Sequence, residues 1–168
     1  MKLQSVSLSI GVGVLSNLIS VTPGLIFNSP QVVAQEVSSS CPLPAEIAVT
    51  FENSKCEAVK LNEPQTFYRY YSSSGNKYGR YLTTNKYEKN TEVIRNLALN
   101  QSWGNQATMR LKVTLPAGTT VYKGTVAPQT PALCYPGGGQ QTFIESTRDP
   151  NIKWSEDGNM AVEDFTCE

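Results

Sequence analysis

The run Cys134-Tyr-Pro-Gly-Gly-Gly-Gln-Gln-Thr-Phe-Ile144 constrains this chain more than any other stretch. Gly137, Gly138 and Gly139 carry no Cβ, so the backbone there can take positive φ and approach a neighbour closely. The character then changes at once, and residues 140–144 read as a short strand. A pliant turn feeding a strand whose first residues are neutral amides can aim a side chain into a cleft. The plainer alternative is an ordinary Pro-Gly hairpin turn.

Lys2 is the sole charge before Glu36, and residues 3–27 are apolar with Ser and Gly interspersed. With Val32-Val33-Ala34 offering small residues to a signal peptidase, residues 1–34 read as a signal peptide cleaved after Ala34. An uncleaved anchor helix is the rival, disfavoured by Pro23, Gly24 and Asn17. Without that leader the acids and bases nearly balance, so bulk charge favours neither nucleic acid nor anionic lipid. The expected location is secreted or periplasmic, with no stable membrane insertion after cleavage. The remainder suits one compact domain.

Export fits the four cysteines, Cys41, Cys56, Cys134 and Cys167, whose even number argues for two disulfides. Of the three pairings, Cys41–Cys56 with Cys134–Cys167 is preferred. The first would pin an N-terminal loop, and the second would tie the C-terminal tail to the glycine turn. No two cysteines stand at the close spacing of a zinc site, and the chain has no histidine. That absence excludes a Ser-His-Asp triad, a Cys-His dyad and a histidine base. Chemistry must run on carboxylates, amides, hydroxyls, Arg, Lys or Tyr; no metal is expected. Walker-type and Rossmann glycine patterns are missing too.

Residues 35–65 read as a loop-rich segment holding Cys41 and Cys56, a cap more than a core element. Phe67–Tyr71 and Tyr78–Thr84 read as strands around a loop at 72–77. Asn90 or Thr91 can cap a helix running to about Leu99, with Val93, Ile94, Leu97 and Ala98 on one stripe. Thr108–Leu115 alternates: Met109, Leu111, Val113 and Leu115 face one way, and Arg110, Lys112 and Thr114 face solvent. Strands are also expected through Val121–Lys123, over 140–145 and near Ala161–Cys167. The sum is an α+β fold, a small mixed and mainly antiparallel sheet with one or two helices and disulfide support.

Four segments stand in order: Tyr68-Arg69-Tyr70, Gly79-Arg80-Tyr81-Leu82-Thr83, Arg95-Asn96-Leu97-Ala98-Leu99, and Val126-Ala-Pro-Gln129 leading into Pro136-Gly-Gly-Gly-Gln-Gln141. In this order they resemble the NAD-cleaving domains of the tuberculosis necrotizing toxin-like family over about residues 66–146, within a domain expected at 66–168. The resemblance implies an NAD(P) glycohydrolase, a toxin or surface enzyme, with the dinucleotide as substrate, no cofactor, and room for an immunity protein as partner. It implies Gln141 and Arg69 as the catalytic residues, with Arg69 contacting the dinucleotide. Arg95 would hold the pyrophosphate and Tyr81 pack against base or ribose, with Gly138 and Gly139 also binding substrate. Two departures stand out. The strand after the helix lacks a histidine that some family members carry, and residues 72–76 are looped out.

The residue types suit that chemistry on their own account. Breaking the nicotinamide–ribose bond expels a neutral leaving group through an oxocarbenium-like state, so little acid catalysis is needed. Arginine grips phosphate bidentately, and a glutamine amide can bond ribose hydroxyls and water without titrating. Holding reactants in register can supply about 7–11 kcal/mol of barrier reduction. Plainer roles stand beside these: Arg69 as a surface cation stacked on Tyr68 or Tyr70, Arg95 on the polar face of its helix, Arg80 in solvent, and Tyr122 and Trp103 as packing residues. Gln140 and Gln141 point to opposite sides of one strand, so only one can enter a cleft. Two other functions remain open. A mono-ADP-ribosyltransferase usually shows an acid two residues after its Gln or Glu, and Phe143 stands there. A secreted binding module would use the glycine turn for structure alone.

Overall fold

A computed structural model describes residues 41–167. The expected leader, its cleavage site and the lead-in to Ser40 lie outside them. In chain order the elements are α1 (Ala45–Ala48), β1 (Glu57–Lys60), β2 (Gln65–Tyr71), β3 (Tyr81–Leu82), α2 (Asn90–Asn96), β4 (Met109–Leu115), β5 (Thr120–Thr125), β6 (Gln140–Phe143) and β7 (Lys153–Asn159). One sheet runs β1-β5-β6-β3 and the other β2-β4-β7, every ladder antiparallel. This is the expected small α+β fold with two disulfides, and the cysteines pair as preferred, Cys41 with Cys56 and Cys134 with Cys167.

The two sheets are stitched where Tyr68 and Thr83 exchange backbone hydrogen bonds of 2.8 and 3.0 Å. A core cluster draws on both: Phe67 and Tyr71 from β2, Leu111, Val113 and Leu115 from β4, Val121 from β5 and Leu82 from β3. The alternation of 109–115 thus reads correctly on its apolar side. On its polar side it misleads at Arg110, which is 7% exposed and not a solvent-facing residue. The unforeseen partner is β7, which brings Asp157 to 2.6 Å from Arg110 Nε, while Tyr87 offers its carbonyl to Nη1 at 2.7 Å.

Residues 41–65 are more than a cap. β1 pairs with β5, and Phe51, fully buried, joins Ala48, Tyr122 and Phe143 in a second cluster. The last strand stands at 153–159 instead of 161–167; the tail returns as coil with one parallel bridge between Lys89 and Ala161. α2 stops at Asn96 because Ala98 turns left-handed, at φ 46°. The expected strand at 78–84 is cut to the two residues of β3.

Candidate functional site

The glycine run meets the end of α2. The N–H of Gly137 donates to the Arg95 carbonyl at 3.1 Å, and that of Gly139 to Asn96 at 2.9 Å. The Arg95 carbonyl also accepts from the Ala98 N–H at 3.2 Å, and the glycine turn adds to the satisfaction of the carbonyls at the C-terminus of α2. Gly138 donates to Val126 at 3.0 Å and Val126 in turn to Gly139 at 2.8 Å. Helix end, Val126 segment and β6 are thereby locked together. The amides of Gly138 and Gly139 are spent on this bracing, and neither residue lines the cavity beside it.

That cavity measures about 320 Å³. Its wall combines Tyr68, Arg69 and Tyr70 of β2, Tyr81 and Leu82 of β3, Leu97–Leu99 beyond α2, Val126 and Gln129, and Gln141 of β6. Gln141 is 8% exposed, whereas Gln140 is exposed and does not line the cavity. The Gln141 Nε2 donates to Thr50 Oγ1 at 2.8 Å and to the Thr50 carbonyl at 3.4 Å.

Arg69 is the one charged residue among the described lining residues; no carboxylate, lysine or histidine joins it. Its Nη1 donates to the Tyr81 carbonyl at 3.3 Å and its Nη2 to the Asn76 carbonyl at 3.0 Å. The Nε is buried and has no hydrogen-bond partner. Neutral carbonyls therefore hold this guanidinium, and no carboxylate compensates it. Burial lowers its pKa to about 10, which leaves it charged at neutral pH. Tyr70, also in the wall, donates to the Asn85 carbonyl at 3.1 Å, and burial pushes its hydroxyl up to about 12.

Tyr81 lines the cavity and tilts against Phe143 with ring centroids 5.1 Å apart. Arg95 lies elsewhere. It is exposed and stacks over Phe165 with 5.4 Å to the ring centroid, so the fold does not bring it to the cavity wall. Arg80 is exposed as expected, lying 5.0 Å over the Phe143 ring.

Several wall residues were not legible as such, Trp103, Asn76, Thr50 and Asn105 among them. Trp103, read as packing, is 59% exposed at the cavity, on a short turn capped by the Asn100 side chain. Asn76 belongs to the looped-out segment, whose carbonyl partners Arg69 and whose Oδ1 accepts from the Ser72 and Ser73 amides at 3.0 Å each. Thr50 comes from the segment read as a cap. An Asn closing a Ser-Ser-Ser-Gly loop is a turn signal that could have marked Asn76; nothing local marks Thr50.

This chain shares its fold with a chain of a solved structure, that of Tne2 in complex with Tni2. The TM-score is 0.51 at 18% identity, and the match covers 65% of this chain and 93% of the other. At that identity the likeness carries the architecture and not the activity. No protein-family model and no curated protein sequence matches the chain.

Proposed function

We propose that the chain is an NAD(P) glycohydrolase that cleaves the bond between nicotinamide and ribose. The observation that carries the reading is Arg69: a half-buried guanidinium with no acidic partner, in the wall of the same cavity as the Gln141 amide. A guanidinium left uncompensated at a cavity favours an anionic ligand, and pyrophosphate oxygens fit its planar fork. Tyr81 and Trp103 add aromatic surface for a planar ring.

The lining suits a reaction without a protein acid or base. Nicotinamide departs as a neutral group with the electron pair of the C–N bond. The developing oxocarbenium ion is captured by water, whose proton passes to solvent. Gln141 would bond the ribose hydroxyls and that water, and Arg69 would hold the pyrophosphate. The transferase alternative lacks its acid here: Glu145, the next carboxylate after Gln141, accepts from Tyr122 at 2.5 Å and does not line the cavity. The chain resembles one solved in a two-protein complex, Tne2 with Tni2, and we favour an immunity protein as the partner to be sought. An exported toxin or surface enzyme is the biological setting we favour.

The purified, oxidised protein should release nicotinamide from NAD or NADP. Gln141→Ala should lower kcat by about a hundredfold or more while the fold is retained. Arg69→Lys keeps the charge but loses the fork, and should chiefly raise KM. Unchanged turnover in a folded Gln141→Ala protein would remove that amide from the mechanism.

A further inference from the structure

We infer that Thr50 is a positioning residue that decides which end of the Gln141 amide faces the cavity, an inference that rests on the glycohydrolase reading. The oxygen and nitrogen of a side-chain amide are nearly alike in shape, so their partners settle the orientation. Two independent features of Thr50 give the same answer. Its backbone carbonyl, 3.4 Å from Gln141 Nε2, can only accept. Its hydroxyl hydrogen goes to the Ile47 carbonyl at 2.7 Å, so at 2.8 Å from the same Nε2 the hydroxyl oxygen must accept as well.

Both acceptors claim the NH2 end, and Oε1 is left as the end without a partner among the described residues. The cavity therefore receives a hydrogen-bond acceptor, the polarity needed to take a bond from a ribose hydroxyl or an attacking water. Thr50 is itself fixed from two sides. Ala127, next to the lining residue Val126, donates its N–H to the Thr50 carbonyl at 2.9 Å. The Cys41–Cys56 bridge closes the loop on which Thr50 lies.

The test compares Thr50→Val, which keeps the shape and loses the hydroxyl, with Thr50→Ser, which keeps the hydroxyl, both in the oxidised full chain. Two readouts are taken, steady-state kinetics on NAD and solvent exchange of the Gln141 side-chain NH2 by NMR. Thr50→Val should lower kcat about tenfold to a hundredfold with KM within about threefold, and should speed NH2 exchange. Thr50→Ser should restore both. Wild-type kcat and exchange in a folded Thr50→Val protein would overturn the inference. If Thr50→Val does not fold, Thr50→Ala takes its place under the same criteria. A wild-type protein that releases no nicotinamide overturns the glycohydrolase reading instead. The positioning role is then judged by exchange alone, and unchanged exchange in Thr50→Val overturns it.

Discussion

A Cβ built at Gly79 would lie 2.6 Å from Nη2 of Arg69. The guanidinium occupies the space a side chain would take, so the glycine of the Gly79-Arg80-Tyr81 segment is a seat for Arg69. Gly79→Ala should displace the tip of a flexible side chain, at small cost to the fold, and weaken dinucleotide binding by about tenfold or more. Titration calorimetry with NAD on a protein of unchanged melting temperature checks this. Wild-type affinity would show that Arg69 can move without consequence.

Gly139 should tolerate less. Its Cβ would meet the Asn96 carbonyl at 2.8 Å and the Tyr87 hydroxyl at 2.7 Å, and the first of these is backbone. Gly139→Ala must push β6 from α2, costing about 1–3 kcal/mol and misaligning Gln141 two residues on. Gly138 has open space around its Cβ but φ +89°, so Gly138→Ala should cost only the backbone strain, about 1 kcal/mol. Thermal melts and NAD turnover of both variants measure the contrast, and equal effects would refute it.

What could be read from the chain was set by how local the cause is. The α+β class and the β4 core face follow from alternation and turn signals, and the cysteine pairing from the loops each bridge would close. Alternation showed only that one of Gln140 and Gln141 could enter a cleft, and the family resemblance chose Gln141. The sheet edge escaped: β7 reads Lys-Trp-Ser-Glu-Asp-Gly-Asn, a polar strand whose outer flank pairs with nothing among the described residues. With β7 unseen, Asp157 was unseen, and Arg110 was sent to solvent by a period that knows nothing of partners. Arg95 failed for a similar reason. Its place beside Phe165 depends on a tail held by the Cys134–Cys167 bridge, 33 residues apart in sequence. Thr50 and Trp103 reach the cavity through tertiary contacts alone.

Asp157→Asn tests the Arg110 assignment. Removing the carboxylate that meets Arg110 Nε leaves the buried guanidinium to the Tyr87 carbonyl and to Glu88 at 3.7 Å, and should cost about 2 kcal/mol of stability. NAD turnover should be unaffected, because neither residue lines the cavity. Denaturant melts give the first quantity, and a loss under about 0.5 kcal/mol would mean the pair is a surface contact.

Glu156 sets an acid limit. Its carboxyl is held below its ordinary 4.5, first by Lys77 and then by the Tyr71 hydroxyl. The unfolded chain takes up this proton near pH 4.5 while the folded one resists, so the stabilisation is complete above that pH and lost as pH falls below it. Glu156→Gln should make the stability profile shallower below pH 4.5 and change its form little at pH 7. Melting temperatures between pH 3 and 7 decide it; parallel curves for the two proteins would rule the linkage out.

The lining of the cavity, with its amide, its guanidinium and no carboxylate, has a consequence for where the proposed reaction can run. With nothing there that changes protonation across the middle of the scale, kcat should hold level from about pH 5 to 9, without the bell shape of acid–base enzymes. Such a catalyst works at one pace in an acidified vesicle and in a neutral cytosol. Its range of habitats is set by where the chain stays folded, not by where its chemistry is switched on.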